Sequence, residues 1–365
     1  MSTIVNNPAN LNNPNNLNNP NNPNNPNNPT HQMPTTTERN ITYLSILHKH
    51  PRDDDLQFDE PTHIYQAVPN PDDRKVIEYQ CQRPLPPIEL NINGKITCVS
   101  SSQIVKSHFS PFDKSGISLQ IAKNPKFKNA RYKEYHPALV CNSCDCNNTD
   151  LTDIKSHTSC TINYNLTAIN IQRIWDTNRD LGTILHEHIE YFINAYAYGN
   201  LYRAPPEMEC TKDYEQFLNF YKDYFITGPL ISYRTEWRIF DNDFAGTIDM
   251  VTYNPSKDTY DMYDWKRSKG INKTSFTYDR NRKKHIPKYG KGVCNQLFDC
   301  NYEHYALQLS LYKYVLGKCY NLQIDSMNLV IFHPKQQSYN IIEVPYHEEL
   351  VSIILKNHFY RGYLE

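Results

Sequence analysis

Three strand-like segments that follow one another in the middle of the chain constrain the fold more than any other feature. They cover residues 232–240, 245–253 and 259–266, and each is rich in β-branched and aromatic residues. The sequence Asn-Pro-Ser-Lys-Asp joins the last two and favours a turn. Such a meander has to bury at least one face, so helices or a second sheet must pack against it.

Helical patterns on both sides of the meander supply that cover. The helical segments span residues 101–109, 183–198, 212–225 and 302–316. We expect the second of them to start after Gly182 and the last to end near Gly317. Short strands follow over residues 327–332 and 340–344. This order predicts an α/β domain with a mixed central sheet flanked by helices.

The N-terminal part of the chain has a different composition. Asn-Asn-Pro units recur from Asn6 to Pro29; they offer little apolar surface and few backbone donors, so we predict that residues 1–38 are disordered. Residues 39–95 form an accessory region, and residues 96–365 form the main domain. A polar insertion near 121–165 interrupts that domain.

The insertion carries a candidate metal site. Cys141, Cys144, Cys146 and Cys160 could together hold a structural Zn²⁺. Their spacing matches no common zinc motif, and the residues among them are typical of a loop. Free thiols are therefore the favoured alternative, as expected for an intracellular chain.

Charge and hydropathy exclude some classes of protein. The net charge is −1, which excludes a globally basic nucleic-acid binder. No apolar run reaches the roughly 18 residues that a membrane span needs, and the N-terminus lacks the features of a signal peptide. We therefore expect an intracellular, soluble protein with no membrane partner.

Positive charge is nevertheless concentrated in one segment. Residues 266–291 contain ten Lys and Arg side chains against one acid, Asp279. The candidate DNA-binding residues are Lys273, Arg280, Arg282, Lys283, Lys284 and Lys288. A solvated loop is the usual explanation of such a run, but this one directly follows a candidate catalytic strand. Pro287, Gly290 and Gly292 favour an irregular loop.

The predicted strands carry the candidate metal-binding and catalytic residues. Asp264 and Lys266 lie two apart on the third strand, so both side chains point to one side, where a carboxylate can hold Mg²⁺ and an ammonium can contact phosphate. Asp249 lies across the hairpin from them, and Ile248 and Met250 should both face away from it. Glu236 on the preceding strand either adds a carboxylate or pairs with an arginine, and the structural role is slightly favoured.

Two helices add further candidates. His186 and Glu190 lie four apart on one helical face, and a neutral imidazole can complete a carboxylate-rich metal site. Gln308 and Tyr312 share a face of the later helix, where they could bond to a phosphate or to Lys266. Each of these pairs alone is more often ordinary helix surface.

The order of these motifs is more specific than any of them alone. A Gly-Thr pair before His186 and Glu190, then Gly-x-x-Asp, Asp-Trp-Lys and Gln-x-x-x-Tyr follow one another over roughly residues 170–345. In this order the sequence resembles the RecB-like branch of the PD-(D/E)XK nucleases. It is similar to RecB nuclease domains, to CRISPR adaptation nucleases and to mitochondrial genome maintenance exonucleases.

The resemblance implies a restriction-endonuclease-like core and a set of site residues. His186, Asp249 and Asp264 would bind the metal, with the carbonyl of Trp265 as a further ligand, and Lys266 would be the catalytic lysine. Gln308 and Tyr312 would support the DNA and the active site. Some members hold an iron–sulfur cluster, but no three-cysteine set follows the Gln308 helix here.

The function implied is hydrolysis of DNA phosphodiester bonds with Mg²⁺ or Mn²⁺, by an exonuclease of DNA repair, recombination or replication. Its partner would be single-stranded DNA or duplex ends, and a helicase or replication partner is left open. One alternative is a non-catalytic nucleic-acid-binding protein on a nuclease scaffold. Another is an interaction module stabilised by zinc at the cysteine cluster.

Overall fold

The computed structural model describes residues 43–82, 84, 87, 89–123, 168–200, 202–279 and 281–360. They divide into two compact units, one from residues 1–110 with 185–365 and the other from residues 111–184. The predictions for residues 1–38, for Arg280 and for the cluster Cys141, Cys144, Cys146 and Cys160 lie outside the described residues.

The larger unit is built on a mixed sheet of eight strands. Its order is β1-β2-β3-β5-β6-β9-β10, with β4 paired to β5, and the pairs β3–β5 and β6–β9 are parallel. Its eight strands are β1 (Leu56–Asp59), β2 (Ile64–Ala67), β3 (Ile96–Ser100), β4 (Ile231–Asp241), β5 (Phe244–Asn254), β6 (Thr259–Arg267), β9 (Ile324–Phe332) and β10 (Asn340–Glu343). A separate sheet of two strands holds β7 (Phe276–Asp279) and β8 (Lys284–Pro287). The predicted mixed α/β architecture is confirmed.

Helices cover both faces of this sheet. The described α-helices are α1 (Tyr43–Leu47), α2 (Pro71–Cys81), α3 (Ser101–Ser107), α4 (Lys114–Lys123), α5 (Ala168–Tyr198), α6 (Pro206–Glu209), α7 (Lys212–Tyr221), α8 (Asn301–Cys319) and α9 (Glu348–Phe359), of which α4 and the first part of α5 belong to the smaller unit. The predicted start after Gly182 was wrong, because α5 runs through that residue, whereas α8 ends at Cys319, near Gly317 as predicted. A glycine costs about 1 kcal/mol inside a helix, which the packing of long helices offsets.

Two apolar layers separate the helices from the sheet. On the face that we call the α7 face, Leu185 of α5 and Phe217 of α7 pack with Tyr263 and Trp265 of β6. On the opposite face, the α8 face, side chains of α3, α8 and α9 pack with Trp237, Ile248, Met262 and Leu329. The central strands of the sheet are thus covered on both sides.

Residues that the sequence assigned to an accessory region extend the same sheet. Tyr65 of β2 is buried with Phe240 and Ala245 of β4 and β5. Nearby, Arg52 forms a two-pronged ion pair with Asp73, at 3.1 and 2.7 Å, and donates to the carbonyl of Phe240 at 3.0 Å. The segment before residue 96 therefore has its own packed contacts with the central strands.

The smaller unit is held by contacts between α4 and the first half of α5. Lys114 Nζ lies 2.7 and 2.8 Å from the two carboxylate oxygens of Asp176. Gln172 donates to Ser118 at 2.8 Å, and the rings of Phe112 and Trp175 lie 5.7 Å apart. Within the described residues, no helix is both long enough and apolar enough to span a membrane.

The basic segment after β6 differs from its prediction as an irregular loop. It contains the antiparallel hairpin β7–β8, with Asp279 paired to Lys284 at its tip. Lys283 adopts a positive φ of 50° there. Proline at position 287 ends β8, and among the described strands only β7 pairs with β8, so that a missing N–H is tolerated there.

Candidate active site

A gap between neighbouring strands creates the candidate site. β4 occupies one edge of β5 over its whole length. On the other edge, β3 pairs with Phe244 and Ala245 only, and β6 pairs with residues 250–254. Among the described strands, none therefore pairs with residues 246–249 on that edge. The backbone and side chains bordering this gap have to find other partners.

The strands also change their facing at this gap. Thr235 and Met250 face the α7 side, where Asn194 donates to the Thr235 hydroxyl at 2.8 Å. Trp237 and Ile248 face the α8 side. Because residues two apart on a regular strand share a face, the alternation breaks at the residues between them. The prediction that Ile248 and Met250 face the same side was therefore wrong.

The break occurs at two carboxylates. Glu236 has a φ of 42°, a left-handed conformation that costs a side chain of this type free energy and recurs at functional sites. The flanking pairs Thr235–Met250 and Trp237–Ile248 place Glu236 opposite Asp249. The last pair of the next ladder, Met250–Tyr263, similarly brings Asp264 beside Asp249. Three carboxylates thus lie in a row across three strands.

Asp249 takes over a position in the sheet ladder. Its Oδ2 accepts the backbone N–H of Trp265 at 2.8 Å, where β5 and β6 have parted. The Trp265 carbonyl is directed to the same edge of β6, and His186 Nε2 lies 3.0 Å from it. His186 Nδ1 lies 3.5 Å from Asp249 Oδ2. The imidazole is therefore held between a carbonyl and a carboxylate, both of which the resemblance assigns to the metal.

Lys266 is held by Asp264 and by an aromatic ring. Its ammonium forms a direct ion pair with Asp264 and lies 4.6 Å from the centre of the Tyr305 ring, a cation–π contact. Sequence reasoning missed Tyr305, although it lies three residues before Gln308 and so on the same face of α8. The spacing of three residues could have identified Tyr305 as a neighbour of the site.

Gln308 and Tyr312 lie at the same gap but face a serine. Gln308 Nε2 donates to the Tyr312 hydroxyl at 2.9 Å, and that hydroxyl lies 2.7 Å from Ser101 Oγ of α3. The Tyr312 ring packs on Gly246, where an added Cβ would come within 2.4 Å of the ring. The Gly-x-x-Asp spacing thus reflects the close approach of α8 to β5. Ser101 was not among the predicted residues.

Burial and mutual repulsion disfavour ionisation of the carboxyl groups. Burial raises the pKa of Asp264 to about 6, against the opposing effect of Lys266. Burial also raises the pKa of Asp249, and Lys266 and the Trp265 N–H oppose it. The pKa of Glu236 is raised well above its usual value by burial and by Asp249 and Glu190.

Glu190 joins this cluster from α5. Burial raises its pKa to about 7, although Arg238 lowers it. Arg238 also opposes the raised pKa of Glu236 and lies over the ring of Phe58 at 5.0 Å. Arg238 acts on Glu236 only through its charge, and the described residues show no ion pair between Glu236 and an arginine. The slightly favoured pairing of Glu236 with an arginine is therefore not found, and Asp249 lies opposite Glu236 instead.

The two basic groups of the site have opposite protonation behaviour. Burial, followed by Lys266, lowers the pKa of His186 to about 4, so its imidazole is neutral at pH 7 and can serve as a metal ligand. Burial would lower the pKa of Lys266, but Asp264, Asp249 and Tyr305 outweigh it and the net shift is upward. Lys266 therefore stays an ammonium and acts as a fixed positive charge.

The residues present fit a divalent cation. The four carboxyl groups described above face two cations, Lys266 and Arg238, which leaves a formal charge of −2 when all are ionised. His186, Glu236 and Asp249 each offer a ligand atom within 4.8 Å of the others, whereas Asp264, which the resemblance assigns to the metal, is not part of this group.

The residues of the site differ in their exposure to solvent. The side chain of His186 is 28% exposed and that of Lys266 18%, whereas Asp264 is only 7% exposed. The imidazole and the ammonium therefore lie nearer to solvent than the Asp264 carboxylate.

The predicted DNA-binding residues lie on or beside the β7–β8 hairpin. Lys273 contacts the ring of Tyr302 at 4.8 Å, Lys288 pairs with Asp299 at 2.8 Å, and Arg282 lies 3.5 Å from Asp279. Lys283 and Lys284 are exposed. Lys288 is the one whose charge is largely neutralised by a buried carboxylate.

Comparison with known proteins adds little to this geometry. No family model matches the chain, and no curated protein matches it. The solved structure of SSO0001 is similar over 78% of this chain and 81% of its own, with 11% sequence identity and a TM-score of 0.25. A likeness at that score carries no argument about fold or function.

Proposed function

We propose that the protein is a metal-dependent deoxyribonuclease of the PD-(D/E)XK type, with a restriction-endonuclease-like core. One observation carries the proposal. The gap beside β5 gathers Asp249, the Trp265 carbonyl and His186 around one point, with Asp264 and its ion-paired Lys266 beside them. These are the residue types that bind a hard cation and a phosphate together.

Each residue has a role that follows from its surroundings. Bound Mg²⁺ or Mn²⁺ would supply Lewis-acid activation of the phosphodiester and of the attacking water. Asp249, Asp264 and neutral His186 would hold the ion, and Glu236 would be available as a further carboxylate. Permanently charged Lys266 would stabilise the negative charge that develops on the phosphoryl oxygens, because its raised pKa excludes a role as a general base at neutral pH.

Electrostatics also favour a polyanionic substrate. The ten basic residues between positions 266 and 291 follow directly on the strand of Asp264 and Lys266, in a chain whose net charge is only −1. Phosphate backbones bind to such local excess charge independently of base sequence. DNA ends are the proposed substrate, and an exonuclease is the proposed mode.

The test is a cleavage assay with linear and circular DNA in Mg²⁺, in Mn²⁺ and in EDTA. We expect degradation of end-labelled linear DNA with either metal and none with EDTA. Lys266→Ala should reduce the rate by at least about 100-fold, the size of one transition-state charge contact. Lys257→Ala, which removes a surface ion pair with Asp325 at 2.6 Å, is the matched control and should retain activity.

Activity that survives Lys266→Ala would overturn the assignment. DNA binding without cleavage under every divalent metal would favour the alternative of a non-catalytic binding protein on the same scaffold. Circular DNA cut as fast as linear DNA would replace the exonuclease by an endonuclease and leave the metal site intact.

A further inference from the structure

The β7–β8 hairpin carries an exposed aromatic face. Tyr278 pairs with His285 and Phe276 with Pro287. Residues opposite each other in an antiparallel pair, and residues two apart on a strand, share a face. Phe276 and Tyr278 therefore project side by side, and they are 55% and 53% exposed. Large rings exposed together on one face indicate a binding surface.

Further rings continue this surface beyond β8. Tyr289 is also exposed and stacks on Phe298, with ring centres 5.0 Å apart and planes 23° from parallel. Phe298 lies 6.3 Å from Phe276. We call Phe276, Tyr278, His285 and Tyr289 the aromatic platform. Its rings are spread over a surface rather than buried in a core.

Positive charge surrounds the aromatic platform. Lys283 and Lys284 lie at the hairpin tip and are both exposed to solvent. The part of the chain that the structure describes holds no ion-pair partner for either. Aromatic faces with lysines between them are the chemistry that binds single-stranded nucleic acid, because unpaired bases stack on rings while phosphates contact cations. Bases inside a duplex are already stacked on each other and cannot do so.

The platform is anchored one helical turn from the candidate site. Tyr302 at the start of α8 donates its N–H to the Asn272 carbonyl at 3.2 Å, and Lys273 lies over its ring. Tyr305, three residues on, holds Lys266. Three residues of helix span about 4.5 Å along the axis. The base of the hairpin is thus fixed beside the lysine to which the proposed function assigns catalysis.

We propose that the aromatic platform binds unpaired DNA bases by stacking and delivers a single strand to the site. The proposal rests on the proposed nuclease function for its purpose, but binding to the platform is a separate property. It gives the protein a preference for single-stranded over duplex substrate without any base-specific hydrogen bond.

Fluorescence anisotropy in EDTA tests this without cleavage. The probes are a labelled thymidine oligomer of about 15 nucleotides, its duplex with the complementary strand, and an abasic oligomer with the same number of phosphates. Phe276→Ala/Tyr278→Ala should weaken binding to the thymidine oligomer by at least about 10-fold, since each stacked base contributes about 5-fold or more. Binding to the duplex and to the abasic oligomer should stay unchanged.

Two controls accompany the double variant. Tyr79→Ala removes an aromatic ring that is 86% exposed on α2, far along the chain from the hairpin, and should leave all three affinities unchanged. Tyr278→Phe keeps the ring and should bind the thymidine oligomer like the wild type. The substituted rings are exposed, so circular dichroism and the unfolding temperature should match those of the wild type.

Equal loss on all three probes, or no loss on the thymidine oligomer, overturns the inference. So does a wild type that binds the abasic oligomer as tightly as the thymidine oligomer, as expected if the face served a protein partner. Base-dependent binding in a protein that never cleaves DNA would refute the nuclease and leave the platform standing. Cleavage of DNA by a protein whose binding does not depend on the bases would refute the platform and leave the nuclease standing.

Discussion

The Asp249 carboxylate accepts the backbone N–H of Trp265 at 2.8 Å, at the position where β5 and β6 stop pairing. A side chain thus substitutes for a backbone carbonyl in the sheet ladder. This bond fixes the carboxylate beside His186 and Asp264, and the Trp265 carbonyl lies 3.0 Å from the same imidazole. The parting of two strands is therefore what assembles the candidate metal site.

The first prediction concerns metal-dependent stability. Mn²⁺ at millimolar concentration should raise the unfolding temperature of the wild type, since a ligand that binds only the folded state stabilises it. Asp249→Asn should abolish that rise. Without metal the variant should unfold at the same or a higher temperature, because one buried carboxylate that repels Glu236 has been removed.

Differential scanning fluorimetry over a Mn²⁺ series measures both effects. Asp325→Asn, which alters a surface carboxylate paired with Lys257, is the control and should keep the full response. An equal response of Asp249→Asn and wild type to Mn²⁺ would place the metal elsewhere.

The second prediction concerns the close approach of α8 to β5. Gly246→Ala places a Cβ 2.4 Å from the Tyr312 ring, so either the ring or the strand must move. Overpacking of this kind costs about 1–3 kcal/mol of unfolding free energy. Urea denaturation should show that loss, and cleavage should fall as well, because Asp249 lies three residues away on the same strand.

Gly317→Ala is the matched control for Gly246→Ala. Nothing lies within 4 Å of a Cβ added there, and the residue is inside α8. Alanine should therefore stabilise the protein by about 0.5–1 kcal/mol. The two glycine substitutions should therefore change the unfolding free energy in opposite directions, and equal changes would contradict the packing described here.

The third prediction concerns pH and His48. Burial, followed by Arg234, lowers the pKa of His48 to about 4 from its usual 6.5. Between pH 6.5 and pH 4, His48 is therefore protonated in the unfolded chain but largely neutral in the folded chain. The contribution of His48 to the free energy of unfolding is thus complete above pH 6.5 and declines as the pH falls towards 4. After allowance for partial exposure, the decline amounts to about 2 kcal/mol.

Urea denaturation at pH 7 and pH 4.5 checks this contribution. His48→Gln should lose less stability than the wild type over that interval, by about the stated amount. His63→Asn changes an exposed histidine with a positive φ and should leave the pH dependence as it is. The same pH dependence in His48→Gln and wild type would refute the prediction.

The fourth prediction concerns the charges of the hairpin. Replacing Arg282, Lys283 and Lys284 with glutamine should weaken binding to DNA of any sequence. The slope of log affinity against log salt should fall by about 0.7 for each lost contact on single strands. Turnover at saturating DNA should change much less. An unaltered affinity and salt slope would mean that the DNA follows another path.

Periodicity in the sequence predicted the order and type of the elements around the site. The predicted strands over residues 232–240, 245–253 and 259–266 correspond to β4, β5 and β6, with ends shifted by one residue or none. Local patterns sufficed here because β-branched and aromatic residues between turn signals have few other ways to bury their side chains.

Ends and irregularities were predicted less well. α5 extends back from the predicted start to Ala168, and the basic loop contains a hairpin. Gly182 suggested an interruption because glycine disfavours regular structure locally. Packing over the length of α5 outweighed that preference, and cross-strand pairing formed β7 and β8 before Gly290. Neither effect is visible in a short window of sequence.

The sequence by itself determined a mixed α/β fold and which residue types stand on its central strands and on the helices beside them. Only the tertiary structure decided that Glu236 lies opposite Asp249, that Tyr305 holds Lys266, and that Ser101 bonds Tyr312. The physical reason is that element type follows from periodicity within a few residues. These contacts instead depend on a break in strand alternation and on the approach of helices that are distant in the chain.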